Sequence, residues 1–187
     1  MKNEDLKIID IRWKTTPFVI PRDITKVIVK ENKTLEKDIE QKPYTLYSST
    51  TMQLIFEYKG KRYYREENIE AGWDYNYANI PWFVEPISYD KHSPYMKIPS
   101  LAHDRLLDFR YRLWYEWDLV TIFNNNLGLF RELTSKVFEY LCIDAGVPTE
   151  KAELMADCVN TAQKFIIWEW GRWLFTKYRK ETYRDGN

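Results

Sequence analysis

Met52-Gln-Leu-Ile-Phe-Glu-Tyr58, Lys59-Gly60, Lys61-Arg-Tyr-Tyr-Arg65 is the stretch that decides the fold. Two runs rich in aliphatic and aromatic residues flank a two-residue break containing glycine, which reads as a β-hairpin. Upstream, Leu6-Lys-Ile-Ile-Asp-Ile-Arg-Trp13 and Ile24-Thr-Lys-Val-Ile-Val29 are β-branched and partly alternating, with Pro17 and Pro21 between them. They read as two further strands. Residues 30–50 are charged and then Ser/Thr-rich, which reads as an exposed loop or short arm, longer than ordinary connections.

Downstream the period changes. From Ser100, the positions Leu101, Leu106, Leu107, Arg110 and Trp114 fit one helix, with His103-Asp104 near its start. Asn124-Asn-Asn-Leu-Gly128 breaks the pattern. Leu133, Val137 and Leu141, with Phe130, Thr134 and Phe138, share faces of a second helix that ends at Gly146. A third starts after Pro148 with Thr149 as N-cap and Glu150 and Glu153 in its first turn. Its apolar stripe runs through Met155, Cys158, Val159, Ala162, Phe165 and Ile166 and is expected to lie on the sheet. Beyond Ile167 it is aromatic nearly all round, and the polar tail from Lys177 is expected to fray. Strands first and helices later is the α+β pattern: N-terminal antiparallel strands and a hairpin, then three C-terminal helices packed on the sheet. The division expected is a strand and loop extension over residues 1–50 and an α+β domain over 51–187.

Composition bounds the function. The 28 basic and 28 acidic residues cancel, which argues against general nucleic-acid binding. No apolar stretch approaches the length of a membrane span. Met1-Lys-Asn-Glu-Asp-Leu6 lacks the apolar run of a signal peptide. Cys142 and Cys158 have no metal-like spacing and read as small buried residues in a reducing compartment. Aromatic residues make up 17% of the chain, with 8 Trp and 14 Tyr. That surplus points to an interface, because such side chains bury much area at low entropic cost. Trp168-Glu-Trp-Gly-Arg-Trp173 reads as core or partner packing rather than a membrane-surface helix. Arg105, Arg110 and Arg112, beside Tyr111 and Trp114, could stack on bases. Asp104, Asp108, Glu116 and Asp118 offset their charge, so a solvated helix face is expected.

The chain has two histidines, His92 and His103, so any histidine chemistry must use one of them. Three segments stand in order: Ala71-Gly-Trp-Asp-Tyr-Asn-Tyr-Ala-Asn-Ile-Pro81, Ala102-His-Asp104, and Arg131-Glu-Leu-Thr-Ser-Lys-Val-Phe138. Together they resemble a domain-of-unknown-function family common in tailed bacteriophages and prophages. Its pattern is Gly-aromatic-x-x-Asp-x-Ala-Ser-Ile/Val-Pro, then Ala-x-x-His-Asp, then Arg-x-x-Ala-Asp-x-x-Phe, then a helix after a Gly-Val turn. The resemblance spans roughly residues 52–178. Gly72, Trp73, Ala78, Ile80, Pro81, His103, Asp104, Arg131 and Phe138 match. The family's strand-end aspartate falls at Asn76, the following serine at Asn79, and the helical aspartate at Ser135.

The resemblance implies that these segments converge, with His103 near Asn76 and Ser135. An Asp, a His-Asp pair and a second Asp could together hold a divalent cation or share a proton. Asn and Ser supply neither negative charge nor base, so no metal or cofactor is expected here. A purely structural reading has His103 donating to a backbone carbonyl or to Asn76. Asp104 would then cap its helix or pair with Arg105, Arg110 or Arg131. The His-Asp pair also resembles the phosphohydrolases named for it, but those need further histidine ligands and only His92 remains. The favoured expectation is a non-catalytic bacteriophage protein, most simply a virion component contacting other virion subunits, in the virion or the host cytoplasm. Alternatives are a metal-assisted hydrolase using His103 and Asp104, and a soluble inhibitor of a host defence protein.

Overall fold

A computed structural model describes residues 5–21, 44–75, 94–107, 122–124 and 126–161. The expected strand at Ile24–Val29, the positions Asn76, Asn79, Pro81 and His92, and the closing aromatic helix lie outside the described residues.

Strands β1 (Leu6–Trp13), β4 (Thr50–Tyr58) and β5 (Lys61–Ile69) form an antiparallel sheet in the order β1-β4-β5. Strands β2 (Val19–Pro21), β3 (Tyr44–Leu46) and β6 (Asp74–Tyr75) form a second, with β3 in the middle. Helices α1 (Lys97–Leu107) and α2 (Leu127–Asp144) follow, and a third helix, α3, occupies residues 149–161. The architecture is α+β, as the sequence pattern predicts.

The hairpin turn has Lys59 at φ 51° and Gly60 at φ 72°. Positive φ at both central residues is the turn whose twist matches paired strands. β4 buries Thr50, Met52, Leu54, Phe56 and Tyr58 and turns the intervening side chains outward. β1 looks out of phase in sequence, because Leu6 and Ile8 differ in parity from Ile11 and Trp13. A bulge resolves this: Ile8 pairs with Phe56 and Asp10 with Ile55, so Ile9 is the extra residue. One added residue flips the alternation, and all four apolar side chains then belong to the core.

That core joins the sheet to the helices. Leu6, Ile11, Met52, Leu54 and Phe56 pack with Ala102 and Leu106 of α1, Phe123, and Phe130, Leu133, Val137 and Leu141 of α2. β1 therefore belongs to the same sheet and core as residues beyond 50. Residues 44–46 and Thr50, read as loop, are strand; a three-residue strand such as β3 carries too few positions for alternation to register. The opposite side of α2, with Phe138 and Cys142, packs with Met96 and with Ala152, Met155, Ala156 and Val159 of α3.

Helix ends are explicit. Asn126 caps α2, its side chain accepting from the Gly128 and Leu129 amides. At the other end Gly146, φ 96°, lets its own amide reach Ile143 O and that of Val147 reach Cys142 O, both at 2.9 Å. This paired closure is the Schellman motif. The expected cap of α3 shifts by one residue. Ala152 N donates to Pro148 O at 3.0 Å, so Pro148 holds the cap position and Thr149 is already helical. α1 also starts earlier than expected. Pro99 lies in its first turn, where a missing N–H costs no helical bond. His103-Asp104 therefore sits well inside the helix, and Asp104 is not its N-cap.

Candidate functional site

α1 is the meeting point of the three segments, and it meets them on two sides. Side chains two residues apart on a helix point to opposite sides. His103 turns towards α2: its ring meets Phe138 edge-on, centroids 5.8 Å apart at 71°. Arg105 turns towards β5 and Trp73. The Gly72-Trp73 segment thus approaches α1 through Arg105, and the Arg131–Phe138 segment approaches it through His103.

Gly72 takes φ +82° in the turn after β5, with open space where a Cβ would stand. Glycine meets the backbone requirement there at no steric cost. The turn is tied down by Gly72 N to Leu46 O at 2.8 Å and Leu46 N to Trp73 O at 2.9 Å. Trp73 packs beside the buried cluster of Leu46, Ile69 and Leu101.

His103 is 5% exposed. Its Nδ1 lies 3.2 Å from Asp104 Oδ1, a local pairing of sequence neighbours. Ser135, one turn before Phe138 on α2, is also buried. Its Oγ and Arg131 Nε are buried with no hydrogen-bond partner among the described residues. Thr134 spends its hydroxyl within the helix, donating to Arg131 O at 2.8 Å. Among the described residues no cluster of three or more His, Cys, Asp or Glu is placed to hold a metal ion. Burial, helped by the Glu139 charge, pushes the Cys142 thiol up to about 12, and burial with the Asp157 charge raises that of Cys158. Neither is poised as a nucleophile, which needs an accessible thiolate.

The described residues also hold a buried ion pair that sequence reading missed. Glu67, on the inner face of β5, is 2% exposed. Arg105 Nη2 lies 3.6 Å from Glu67 Oε2. Arg105 Nε donates to Asn68 O at 3.0 Å, and its guanidinium stands 5.3 Å from the centre of the Trp73 ring. Arg105 is therefore buried and paired, not part of a solvated helix face. The available signal was parity: Tyr63, Arg65, Glu67 and Ile69 share one face of β5, and the strongly apolar Ile69 marks it as the inner one.

No helix among the described residues is long and apolar enough to cross a membrane. No protein-family model matches the chain, and no curated protein or solved structure is significantly similar to it.

Proposed function

We propose that this chain is a non-catalytic bacteriophage protein that works through protein–protein contacts, as a component of the virion. The bacteriophage assignment rests on the motif resemblance. The contact role rests on one observation: Phe18 and Tyr47 are 58% and 64% exposed yet held together. Their rings meet edge-on at 5.6 Å and 85°, and Tyr47 N donates to Phe18 O at 2.8 Å. Two aromatic rings kept in water and pre-ordered by the backbone form an anchor that loses little entropy on binding. The burial of His103 against Phe138, with serine where an acid would be needed, supports a structural part for the His-Asp pair.

The test is mass spectrometry of purified particles from a bacteriophage encoding the chain. The chain should be present in fixed ratio to other subunits, and Phe18→Ala with Tyr47→Ala should deplete it while leaving its fold intact. Absence of the wild-type chain from particles would overturn the virion reading.

A further inference from the structure

We propose that the chain self-associates through the outer edge of β5, which no described strand pairs, joining antiparallel with β5 of a second copy about a two-fold axis at Tyr64. The contact is separate from the Phe18–Tyr47 surface and does not depend on what that surface binds.

Three observations carry it. The first is which backbone groups point outward. In a two-residue hairpin the flanking pair, here Tyr58 and Lys61, is hydrogen-bonded, and bonded pairs then alternate. Lys61, Tyr63, Arg65, Glu67 and Ile69 therefore bond to β4, with no register shift along the ladder. Arg62, Tyr64, Glu66 and Asn68 turn their N–H and C=O groups to the far side, where no described strand pairs. Asn68 O accepts from Arg105 there. That bond closes the C-terminal end of the edge and leaves Arg62–Glu66 as the segment open to pairing.

The second observation is charge order. A two-fold contact requires bonded residues to face bonded residues on the same side of the sheet. Centred on Tyr64, it sets Arg62 opposite Glu66 of the second copy, Tyr64 opposite its own equivalent, and Glu66 opposite Arg62. All three side chains are exposed on the outer face. Charged residues on an edge strand ordinarily deter pairing. Here the order basic, aromatic, acidic is its own complement, so it excludes most strands and admits its own copy. Shifting the centre to Arg65 would set arginine against arginine, which selects the register.

The third observation is that Glu66 is already ionised. It accepts from Lys14 Nζ at 3.0 Å, from Gln53 Nε2 at 2.8 Å, and from the Tyr64 hydroxyl. These bonds hold its carboxyl well below the usual range, at about 2. The acidic half of each cross-copy pair is therefore charged before association, and the flexible Glu66 side chain turns from Lys14 and Gln53 across β4 to meet Arg62 of the second copy. Arg62, by contrast, makes no ion pair within the described residues. β1, the other outer strand of this sheet, is less suited because its bulge at Ile9 breaks the regular spacing of edge groups.

The experiment is sedimentation velocity of the full chain over a concentration series. Wild type is expected to show a monomer–dimer equilibrium. Arg62→Glu or Glu66→Arg places like charges opposite each other twice per dimer and should weaken association on the order of tenfold or more. Mixing these two single variants restores complementarity at both positions, so a heterodimer should form that neither makes alone. The double swap Arg62→Glu with Glu66→Arg should dimerise like wild type. Tyr64→Pro removes one outward N–H without touching the β4 ladder and should abolish the dimer; circular dichroism checks the fold of each variant. A wild-type chain that stays monomeric at its solubility limit overturns the proposal. So does a dimer indifferent to both charge reversals, which would mean association through another surface, and so does failure of the mixed variants to associate.

Discussion

Replacing Arg105 with methionine should be among the most damaging single changes in the described part of the chain. The side chain does three things at once: it faces the Glu67 carboxylate at 3.6 Å, donates to Asn68 O at 3.0 Å, and covers the Trp73 ring at 5.3 Å. Methionine retains the apolar stem and removes the charge, so the loss measured is chiefly electrostatic. Removing one partner of a buried pair costs about 3–5 kcal/mol, because the other charge stays in a low-dielectric site. The 3.6 Å separation is longer than a hydrogen bond, which favours the lower end, about 3 kcal/mol. In a domain of this size each kcal/mol moves the melting midpoint by about 2–4 °C, so a fall of roughly 6–12 °C is expected. The assay is urea and thermal unfolding of wild type, Arg105→Met, Glu67→Leu and the double variant. An apolar pair of similar volume is tolerated far better than a lone buried charge. The double variant should therefore be more stable than the sum of the two single losses. Additive losses, or an Arg105→Met loss below about 1 kcal/mol, would show that the pair is not coupled and refute the reasoning.

Glu66 predicts a pH dependence. Its folded-state carboxyl lies near 2, below the ordinary 4.5, chiefly through the hydrogen bond from Tyr64 and then those from Gln53 and Lys14. A depressed carboxyl stabilises the fold above its unfolded value and loses that contribution as pH falls from about 4.5 towards 2. Glu66→Gln should flatten this part of the stability-versus-pH curve, and added salt should shrink the difference between the two proteins. Ser135→Ala should leave stability unchanged or raise it by up to about 1 kcal/mol, since it removes a buried hydroxyl without a partner among the described residues; a clear loss in urea melts would reveal a partner. Cys142, with its thiol near 12, should resist alkylation in the native chain and react on unfolding, as read by intact-mass spectrometry. Gly60→Ala should cost about 1 kcal/mol purely through the backbone, because φ is +72° and nothing stands within 4 Å of the new methyl.

The elements legible in sequence are those whose signal is local. The hairpin at Lys59-Gly60 combines two aliphatic and aromatic runs with a two-residue turn, so one window contains the whole pattern. Gly146 likewise ends α2 through local bonds, its own amide reaching Ile143 O and that of Val147 reaching Cys142 O. Less legible elements depend on distant residues. β3 is three residues long and exists because β2 and β6 flank it. The bulge at Ile9 is needed only because Phe56 and Ile55 on another strand set the register. α1 begins at Lys97, before Ser100, and Pro99 falls in its first turn, where proline is harmless.

The candidate site divides along the same line. Motif order brings attention to His103 and Asp104, but it cannot distinguish a helix face that meets solvent from one that meets another helix. Phe138 decides that, 35 positions away, by packing on the imidazole. The burial of Ser135 carries the argument further. A carboxylate at that position would sit in a dry helix–helix contact, and it could remain ionised only with a cation or a close positive partner. Serine carries no such demand. Serine at position 135 and a His103 ring buried against Phe138 thus suit helix packing that holds no buried carboxylate at that position. Buried charge stands instead at Glu67 and Arg105, where it ties β5 to α1 and also caps the end of the β5 edge at Asn68. Among the described residues, the buried Glu67–Arg105 contact thus also sets where the β5 edge closes.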